Sequence, residues 1–288
     1  MTVYIPTRSR PANVRKIVPR WLEQNMSVRL VVDPDEVNLH LALRAQEGWG
    51  SDVRVWAPPG VKGIGAIRRK IVRQAARNGL TSIILSEDDA SPERSSDFQE
   101  LLDWADRPDV LGIGATRPIH DRFTGGAISY NSGAILCPGG WGFVCFGLNV
   151  QNALAAGNYD AALHTIGDDA ELARNGIAKL RIPWLAHCDV RWSSLGTRYS
   201  PGGIGARFGE DLTLRHMAER ECLALIHERW PAYTNEPDKR LRVSWQKMLD
   251  HYLPGWRQRS AIHGGDLRNA YWEEGMPNGV ASYAGVTS

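Results

Sequence analysis

The first ninety residues alternate strand-like and helix-like segments with short connections between them. β-rich runs at 2–6, 28–33, 52–58 and 82–86 flank segments whose apolar residues recur at helical spacing. The third of these segments closes with Asn78-Gly79, a typical helix end, and places five apolar residues on one face: Ile64, Ile67, Ile71, Val72 and Ala75. This order predicts an α/β fold with a mostly parallel central sheet flanked by helices.

Composition narrows the class of protein without identifying it. The chain has 288 residues, and 43% of them are hydrophobic, which suffices for one large α/β domain or a domain with an appended subdomain. The 34 basic and 32 acidic side chains give a net charge of only +2, so any basic surface must be local. The cysteines form no CxxC pair, which favours reduced thiols and argues against zinc: Cys137, Cys145, Cys188 and Cys222.

The amino-terminal segment carries Arg8 and Arg10 where a secretory signal would need an apolar run. No stretch of the sequence approaches the length of a membrane span. We therefore expect a soluble, cytoplasmic protein.

Three consecutive acids, Glu87, Asp88 and Asp89, follow the fourth strand directly. Such a cluster needs a cation, a basic partner or open water, because like charges repel and burying them unpaired is costly. One interpretation is a solvated turn. The other is a ligand site, since ligands of parallel sheets gather at the carboxyl ends of strands, where the triplet would lie beside the loops after the first two strands. Carboxylates suit Mg²⁺ or Mn²⁺, which complete their shell with water and phosphates, so the acids predict a phosphate-bearing ligand.

These features resemble the GT-A-type nucleotide-sugar glycosyltransferases, whose Rossmann-like first half ends in a short acidic DxD motif. The resemblance implies a divalent ion, Mn²⁺ or Mg²⁺, held by Glu87 and Asp89, with His187 as a further ligand. It implies a nucleotide-sugar donor, expected to be a UDP-sugar, bound by Pro6, Thr7, Arg8, Asp33, Arg68, Arg69 and Asp88. The alternatives are that Arg68 and Arg69 are solvated helix charges and that His187 is a hydrogen-bonded structural histidine.

The segment 145–184 resembles the acceptor half of the same enzymes, in which an acidic pair precedes D-x-x-L, a basic residue and a glycine. Here the pair is Asp168-Asp169, followed by Arg174 and Gly176. The resemblance implies that Asp169 is the general base, with Asp168 as the second candidate, because a carboxylate within hydrogen-bond reach can take the proton of an attacking hydroxyl. The alternative is that either aspartate caps the helix that follows.

The layout of residues 1–215 further resembles phage-encoded glycosyltransferases associated with TET/JBP-type hydroxylases, which implies a host-cytoplasmic enzyme acting on 5-hydroxymethylpyrimidine in DNA. We predict a domain over 1–215, with a donor half at 1–92 and an acceptor half at 93–215, and a helical extension with an irregular tail at 216–288.

Basic and aromatic residues of two late segments, with one tryptophan of a glycine-rich stretch, are candidates for contact with the sugar or DNA: Trp141, Arg191, Trp192, Arg198, Tyr199, Arg207 and Arg242. The arginines could instead serve only the donor diphosphate, and the tryptophans could pack in the core. Two other functions fit the sequence: transfer to a saccharide or small molecule, and nucleotide binding without turnover.

Overall fold

The computed structural model describes residues 1–61, 63–94, 96–116, 128–131, 134–137, 144–182, 184–195, 212–233 and 245–254. Several residues predicted to contact sugar or DNA lie outside these ranges: Trp141, Arg198, Tyr199, Arg207 and Arg242.

Strands and helices alternate through the first half of the chain as the periodicity predicts. The strands are β1 (Thr2–Pro6), β2 (Ser27–Val31), β3 (Val53–Trp56), β4 (Ser82–Ser86), β5 (Ala90–Pro92), β6 (Gly112–Thr116), β7 (Ile128–Asn131), β8 (Ala134–Cys137), β9 (Cys145–Asn149) and β10 (Trp184–Ser194). The α-helices in the described ranges are α1 (Pro11–Glu23), α2 (Val37–Gln46), α3 (Ile64–Arg77), α4 (Gln99–Ala105), α5 (Val150–Ala156), α6 (Asp168–Asn175), α7 (Leu212–Arg229) and α8 (Trp245–Tyr252).

One sheet contains these strands in the order β3-β2-β1-β4-β9-β6-β10-β8-β7, and β5 pairs with the end of β10. Strands β1 to β4 are parallel, whereas β9 lies antiparallel between β4 and β6. β10 is parallel to β6 and antiparallel to β8, which in turn opposes β7. Most of the described strands therefore run in one direction, which confirms the predicted mostly parallel α/β sheet.

Helices cover both faces of the sheet, because alternate residues of each strand point to opposite sides. In β1, Val3 and Ile5 belong to the core layer under α1 and α4, whereas Tyr4 belongs to the layer under α3, α5 and α6. Trp21 of α1 packs edge-on against Phe98 at a centroid distance of 4.8 Å. The buried face of α1 explains why this helix continues through Pro19.

The carboxyl-terminal helices pack against this core. Leu249 of α8 and Leu253 just after it are buried in the same hydrophobic cluster as Ile177, and Ile226 of α7 is buried with Leu163. The predicted boundary after residue 215 falls inside α7, and the division into two domains stays a prediction. None of the described helices is both long and apolar enough to cross a bilayer.

The start of α3 lies directly on the loop that leads into α6, and Gly65 permits this approach. A Cβ atom at Gly65 would lie 2.2 Å from the carbonyl oxygen of Asp160 and 2.6 Å from that of Leu163. Both obstacles are backbone atoms, so no side-chain rotation can relieve them. The glycine therefore fixes how closely α3 approaches the loop 160–163.

Replacing Gly65 by alanine should force α3 away from the loop and lower the free energy of unfolding by about 3 kcal/mol, at the upper end of ordinary overpacking costs. Gly79→Ala is a matched control, because open space surrounds Gly79 and only its φ of +71° opposes a side chain, at a cost of about 1 kcal/mol. Urea unfolding of both variants gives the comparison. Equal losses would contradict the assigned role of Gly65.

Candidate functional site

Loops after three adjacent parallel strands meet at one edge of the sheet. β2, β1 and β4 are neighbours, so Thr7–Arg10 after β1, Asp33 after β2 and Glu87–Asp89 after β4 lie side by side. The amino-terminal end of α6, with Asp168 and Asp169, joins them through Arg68 of α3. We call this set of residues the acidic crevice.

Asp88 is the buried anchor of the acidic triplet. The Thr7 hydroxyl donates a hydrogen bond of 2.8 Å to its Oδ2, and Arg10 Nη1 donates one of 2.9 Å to its Oδ1. Burial raises the pKa of Asp88 to about 6, although Arg10 and the Thr7 hydroxyl oppose the rise. Because protein donors engage both carboxylate oxygens, Asp88 holds the loop after β1 against the end of β4.

Arg10 was not among the residues selected from the sequence. Its side chain is 8% exposed, and its Nη1 also lies 3.6 Å from Asp89 Oδ2. The sequence pattern that could have indicated a role for Arg10 is the pair of arginines, Arg8 and Arg10, just before α1, which begins at Pro11. The sequence alone did not indicate which arginine of that run turns inward.

The same loop is tied to β2 by two further acids. Arg8 Nη1 lies 2.7 Å from Asp33 Oδ2, and Asp33 is buried. The Ser9 N–H donates a 2.8 Å hydrogen bond to Glu36 Oε2, and the Ser9 hydroxyl donates to Oε1. Glu36 thereby stabilises Ser9 at a φ of +52°. Glu36 is therefore buried, whereas the neighbouring Asp35 is exposed.

Arg68 of α3 joins the two acidic motifs. Its side chain is 4% exposed, and its Nη1 donates a 3.0 Å hydrogen bond to Asp168 Oδ2, while Nη2 donates one of 3.3 Å to Glu87 Oε1. The guanidinium carbon lies 5.7 Å from the centre of the Phe146 ring and 5.8 Å from that of Tyr159. The alternative of a solvated helix charge is therefore wrong for Arg68.

The neighbouring Arg69 is partly exposed, and its carbonyl oxygen accepts a hydrogen bond of 3.3 Å from Asn158 Nδ2. Pro6 ends β1 and leads into the loop that carries Thr7. Donor binding by either residue stays a prediction.

The two aspartates at the start of α6, Asp168 and Asp169, have different surroundings. Gly167, at a φ of +80°, occupies the N-cap position of α6, and no side chain caps this end. Asp168 is the first residue of the helix and is 3% exposed against Arg68, so it serves as an ion-pair partner rather than a cap. Asp169 is partly exposed, and its Oδ1 accepts a hydrogen bond of 2.6 Å from the Ala170 N–H. Asp169 is thus the more accessible carboxylate of the pair.

Glu87 and Asp89 are the acids of the triplet whose surroundings fit a divalent cation. Their side chains are 45% and 13% exposed, whereas protein donors engage both oxygens of Asp88. Desolvation by the surrounding protein raises the pKa of Glu87 to about 7; Arg68 opposes the rise, and the nearby aspartates add to it.

Among the described residues no three His, Cys, Asp or Glu side chains form a ready metal cluster. Mg²⁺ and Mn²⁺ commonly take one or two protein carboxylates and complete their shell with water and substrate phosphates. Glu87 and Asp89 fit that kind of site, in which a phosphate-bearing ligand supplies further oxygens.

His187 lies in the core, where its contacts match the structural alternative. Its Nε2 lies 3.0 Å from Glu100 Oε1, and its Nδ1 accepts a 3.3 Å hydrogen bond from the Val190 N–H. Trp104 packs edge-on against the imidazole. Metal binding by His187 stays a prediction, and it would require the ring to give up its contact with Glu100 or its hydrogen bond from Val190.

Arg191 and Trp192 lie on β10, where Trp192 pairs with Pro92 of β5 and the later Ser194 pairs with Ala90, directly after the acidic triplet. The Arg191 side chain is partly exposed, and its backbone N–H donates a 2.8 Å hydrogen bond to Ser96 Oγ. Trp192 is 7% exposed and belongs to the hydrophobic core under α1. This position favours the packing role for Trp192.

No protein-family profile and no curated protein matches this sequence. Among solved structures, the mannosyltransferase PcManGT from Pyrobaculum calidifontis, in complex with GDP-Man and Mn²⁺, aligns with a TM-score of 0.56 at 14% identity. That alignment covers 96% of this chain and 76% of the mannosyltransferase. The chain therefore has a GT-A-type fold.

Two further solved structures align with lower scores. TarS 1–349 from S. aureus, in complex with UDP-GlcNAc, gives a TM-score of 0.48 at 10% identity, over 91% of this chain and 83% of its own. GalNAc-T7, with UDP, GalNAc and Mn²⁺, gives 0.49 at 14% identity, over 67% of this chain and 43% of its own.

Arg68→Ala should lower the free energy of unfolding by about 3–5 kcal/mol, because it leaves Asp168 buried without its cation. Arg68→Lys should cost less but still destabilise, since an ammonium lacks the planar fork that reaches two carboxylates. Arg77→Ala, an exposed arginine of the same helix, is the control and should stay within about 0.5 kcal/mol of the unmodified chain. Tryptophan fluorescence during urea unfolding measures all three. A loss in Arg68→Ala no larger than in the control would contradict the bridging role.

Proposed function

We propose that this chain is a metal-dependent glycosyltransferase that moves a sugar from a nucleotide-sugar donor to a hydroxyl acceptor. The observation that carries the proposal is the bridge from Glu87 through Arg68 to Asp168. The bridge brings the accessible acids of both motifs to one crevice at the carboxyl edge of the sheet. The mannosyltransferase that shares the fold was solved with GDP-Man and Mn²⁺, which supports a nucleotide sugar and a divalent ion here.

In this proposal Glu87 and Asp89 hold Mn²⁺ or Mg²⁺ together with the donor diphosphate. When bound, the ion offsets the negative charge that the diphosphate gains as it departs. Arg8 and Asp33, paired at the end of the crevice beside β2, contact the nucleoside. The expected donor is a UDP-sugar, and a GDP-sugar is the second candidate.

Asp169 is the proposed general base. The acceptor oxygen attacks the anomeric carbon, the bond from that carbon to the phosphate oxygen breaks, and its electron pair leaves with the nucleoside diphosphate. The proton of the attacking hydroxyl passes to the Asp169 carboxylate. Asp168 pairs with Arg68 and keeps the start of α6 in place.

The proposed acceptor is the 5-hydroxymethyl group of a pyrimidine in DNA. The sequence resemblance to phage enzymes supports this choice, together with the local basic and aromatic segments that begin at Arg191 and at Lys239. A hydroxymethyl group supplies the nucleophilic oxygen that an unmodified pyrimidine lacks at that position. Transfer to a saccharide or small molecule, and nucleotide binding without turnover, remain the competing functions.

Purified protein with Mn²⁺ should transfer label from a sugar nucleotide to hydroxymethylated DNA and leave unmodified DNA unlabelled. Donors to be tested are UDP-glucose, UDP-GlcNAc and GDP-mannose, with free saccharides as competing acceptors. Asp89→Ala and excess chelator should each abolish transfer, because both remove the proposed ion site. A better yield on a saccharide would overturn the DNA acceptor alone. Full activity in chelator would overturn the metal assignment, and binding of donor without any transfer would favour the non-catalytic alternative.

Asp169→Asn should lower turnover by roughly 10²-fold or more, since general-base catalysis contributes on that order, while affinity for the nucleotide changes little. Asp35→Asn, which changes an exposed aspartate after β2, is the control and should keep normal turnover. Steady-state rates and calorimetric titration with UDP or GDP in Mn²⁺ separate the two effects. If Asp169→Asn keeps its turnover, another group is the base.

A further inference from the structure

Glu171 is a buried carboxylate that the proposed reaction does not use. It lies on α6, is 3% exposed, and its Oε2 accepts hydrogen bonds of 3.1 Å from Arg174 Nη1 and 2.9 Å from Trp230 Nε1. Arg229 Nη1 lies 3.5 Å from its Oε1. Arg229 ends α7 and Trp230 follows it, so two of these donors come from the end of α7 and not from α6 itself. Because a buried carboxylate is costly without donors, this network favours the docked position of α7 on α6.

Two more contacts attach the end of α7 to the segment just before α6. Arg229 Nη2 lies 2.5 Å from Asp160 Oδ2, in the loop that leads into the helix. A Cβ atom at Gly167 would lie 2.7 Å from Ile226 Cδ1, so the α7 side chain packs directly against this glycine. Gly167 immediately precedes Asp168. The end of α7 therefore contacts one residue just before the pair Asp168-Asp169 and another just after it.

The spacing of these contacts determines which way the helix faces. Glu171 follows Asp168 by three residues, so both carboxylates lie on the same side of α6. Arg68 of α3 holds this side at Asp168, and Arg229 with Trp230 holds it one turn later. With rotation of α6 restrained at two points, the partly exposed Asp169 keeps its direction relative to Glu87 and Asp89.

We infer that Arg229 and Trp230 are positioning residues that keep Asp169 directed into the crevice; the inference rests on the proposed role of Asp169. A general base must lie within hydrogen-bond reach of the proton it takes, and a misplacement of about 1 Å can cost about 10²-fold in rate. Neither residue needs to touch the substrate. Their loss should reduce turnover through Asp169 while the donor site formed by β1, β2 and β4 keeps its affinity.

The first measurement does not depend on catalysis. Hydrogen exchange followed by mass spectrometry should show amides of 168–175 exchanging roughly tenfold faster in Trp230→Phe and in Arg229→Ala, since each change removes a hydrogen bond to a charged group. Trp230→Phe keeps an aromatic ring, removes the indole donor and makes the side chain smaller. Amides of α3 should exchange as in the unmodified chain. Arg220 is an exposed arginine of α7, and Arg220→Ala should leave the exchange rates of the α6 amides unchanged.

The second measurement separates positioning from general destabilisation. With any donor and acceptor that the unmodified chain turns over, Trp230→Phe and Arg229→Ala should lower kcat roughly 10-fold to 100-fold, with KM for the donor within about twofold. Arg229→Lys keeps the charge that faces Asp160 and Glu171 and should recover part of the loss. Calorimetric titration with UDP or GDP in Mn²⁺ should give unchanged affinity.

The outcomes distinguish this inference from the proposed function. Unchanged exchange of 168–175 in both variants overturns the inference, whatever the enzyme does. Faster exchange with unchanged kcat also overturns it, because the helix would then be loosened without effect on the base. If the unmodified chain shows no transfer, the proposed function fails by itself, and the exchange data still decide whether α7 holds α6. Should Trp230→Phe fail to fold, Arg229→Ala, at a side chain about one third exposed, carries the test.

Discussion

The arrangement of the site depends on one buried cation. Arg68 lies 19 residues before Glu87 and 100 residues before Asp168, yet its buried guanidinium contacts both the half-exposed Glu87 and the buried Asp168. A buried guanidinium or carboxylate without an opposite charge is strongly unfavourable, so α3, the end of β4 and the start of α6 are stable only in a mutual arrangement that keeps these contacts. Gly65 permits that arrangement, because a side chain there would collide with the backbone before α6.

Arg10 has the same role on the other side of the crevice, where it pairs with a buried aspartate. Each arginine neutralises one buried aspartate, Asp88 for Arg10 and Asp168 for Arg68, while a neighbouring aspartate, Asp89 or Asp169, is less enclosed. Acids next to each other in sequence thus divide into an anchor and a more accessible group. Buried ion pairs contribute little net stability, but they specify geometry where a hydrophobic pair would leave the orientation open.

Local periodicity was enough to predict the first four strands, the helices between them and the position of the acidic triplet at a strand end. The division of labour within each acidic motif could not be predicted, because it depends on contacts between residues far apart in the chain. Arg10 and Glu36 were missed for a related reason: Ser9 adopts a positive φ, which changes the side to which each residue of the loop points. His187 follows an apolar run and Trp192 follows a polar stretch, and neither pattern indicates that Trp192 packs in the core under α1 or that Trp104 of α4 packs against the His187 ring.

The reversed strand β9 explains why the second acidic motif reaches the first. β9 runs antiparallel to β4, with Asn149 opposite Ser82, so it ends at the edge where β4 begins. The helix α5 starts there and leads back along the sheet, and the following loop brings Asp168 to the carboxyl edge. A parallel β9 would have ended at the carboxyl edge, and the helix after it would have carried the chain away. Strand direction, rather than any single residue, therefore places Asp169 at the same edge of the sheet as Glu87 and Asp89.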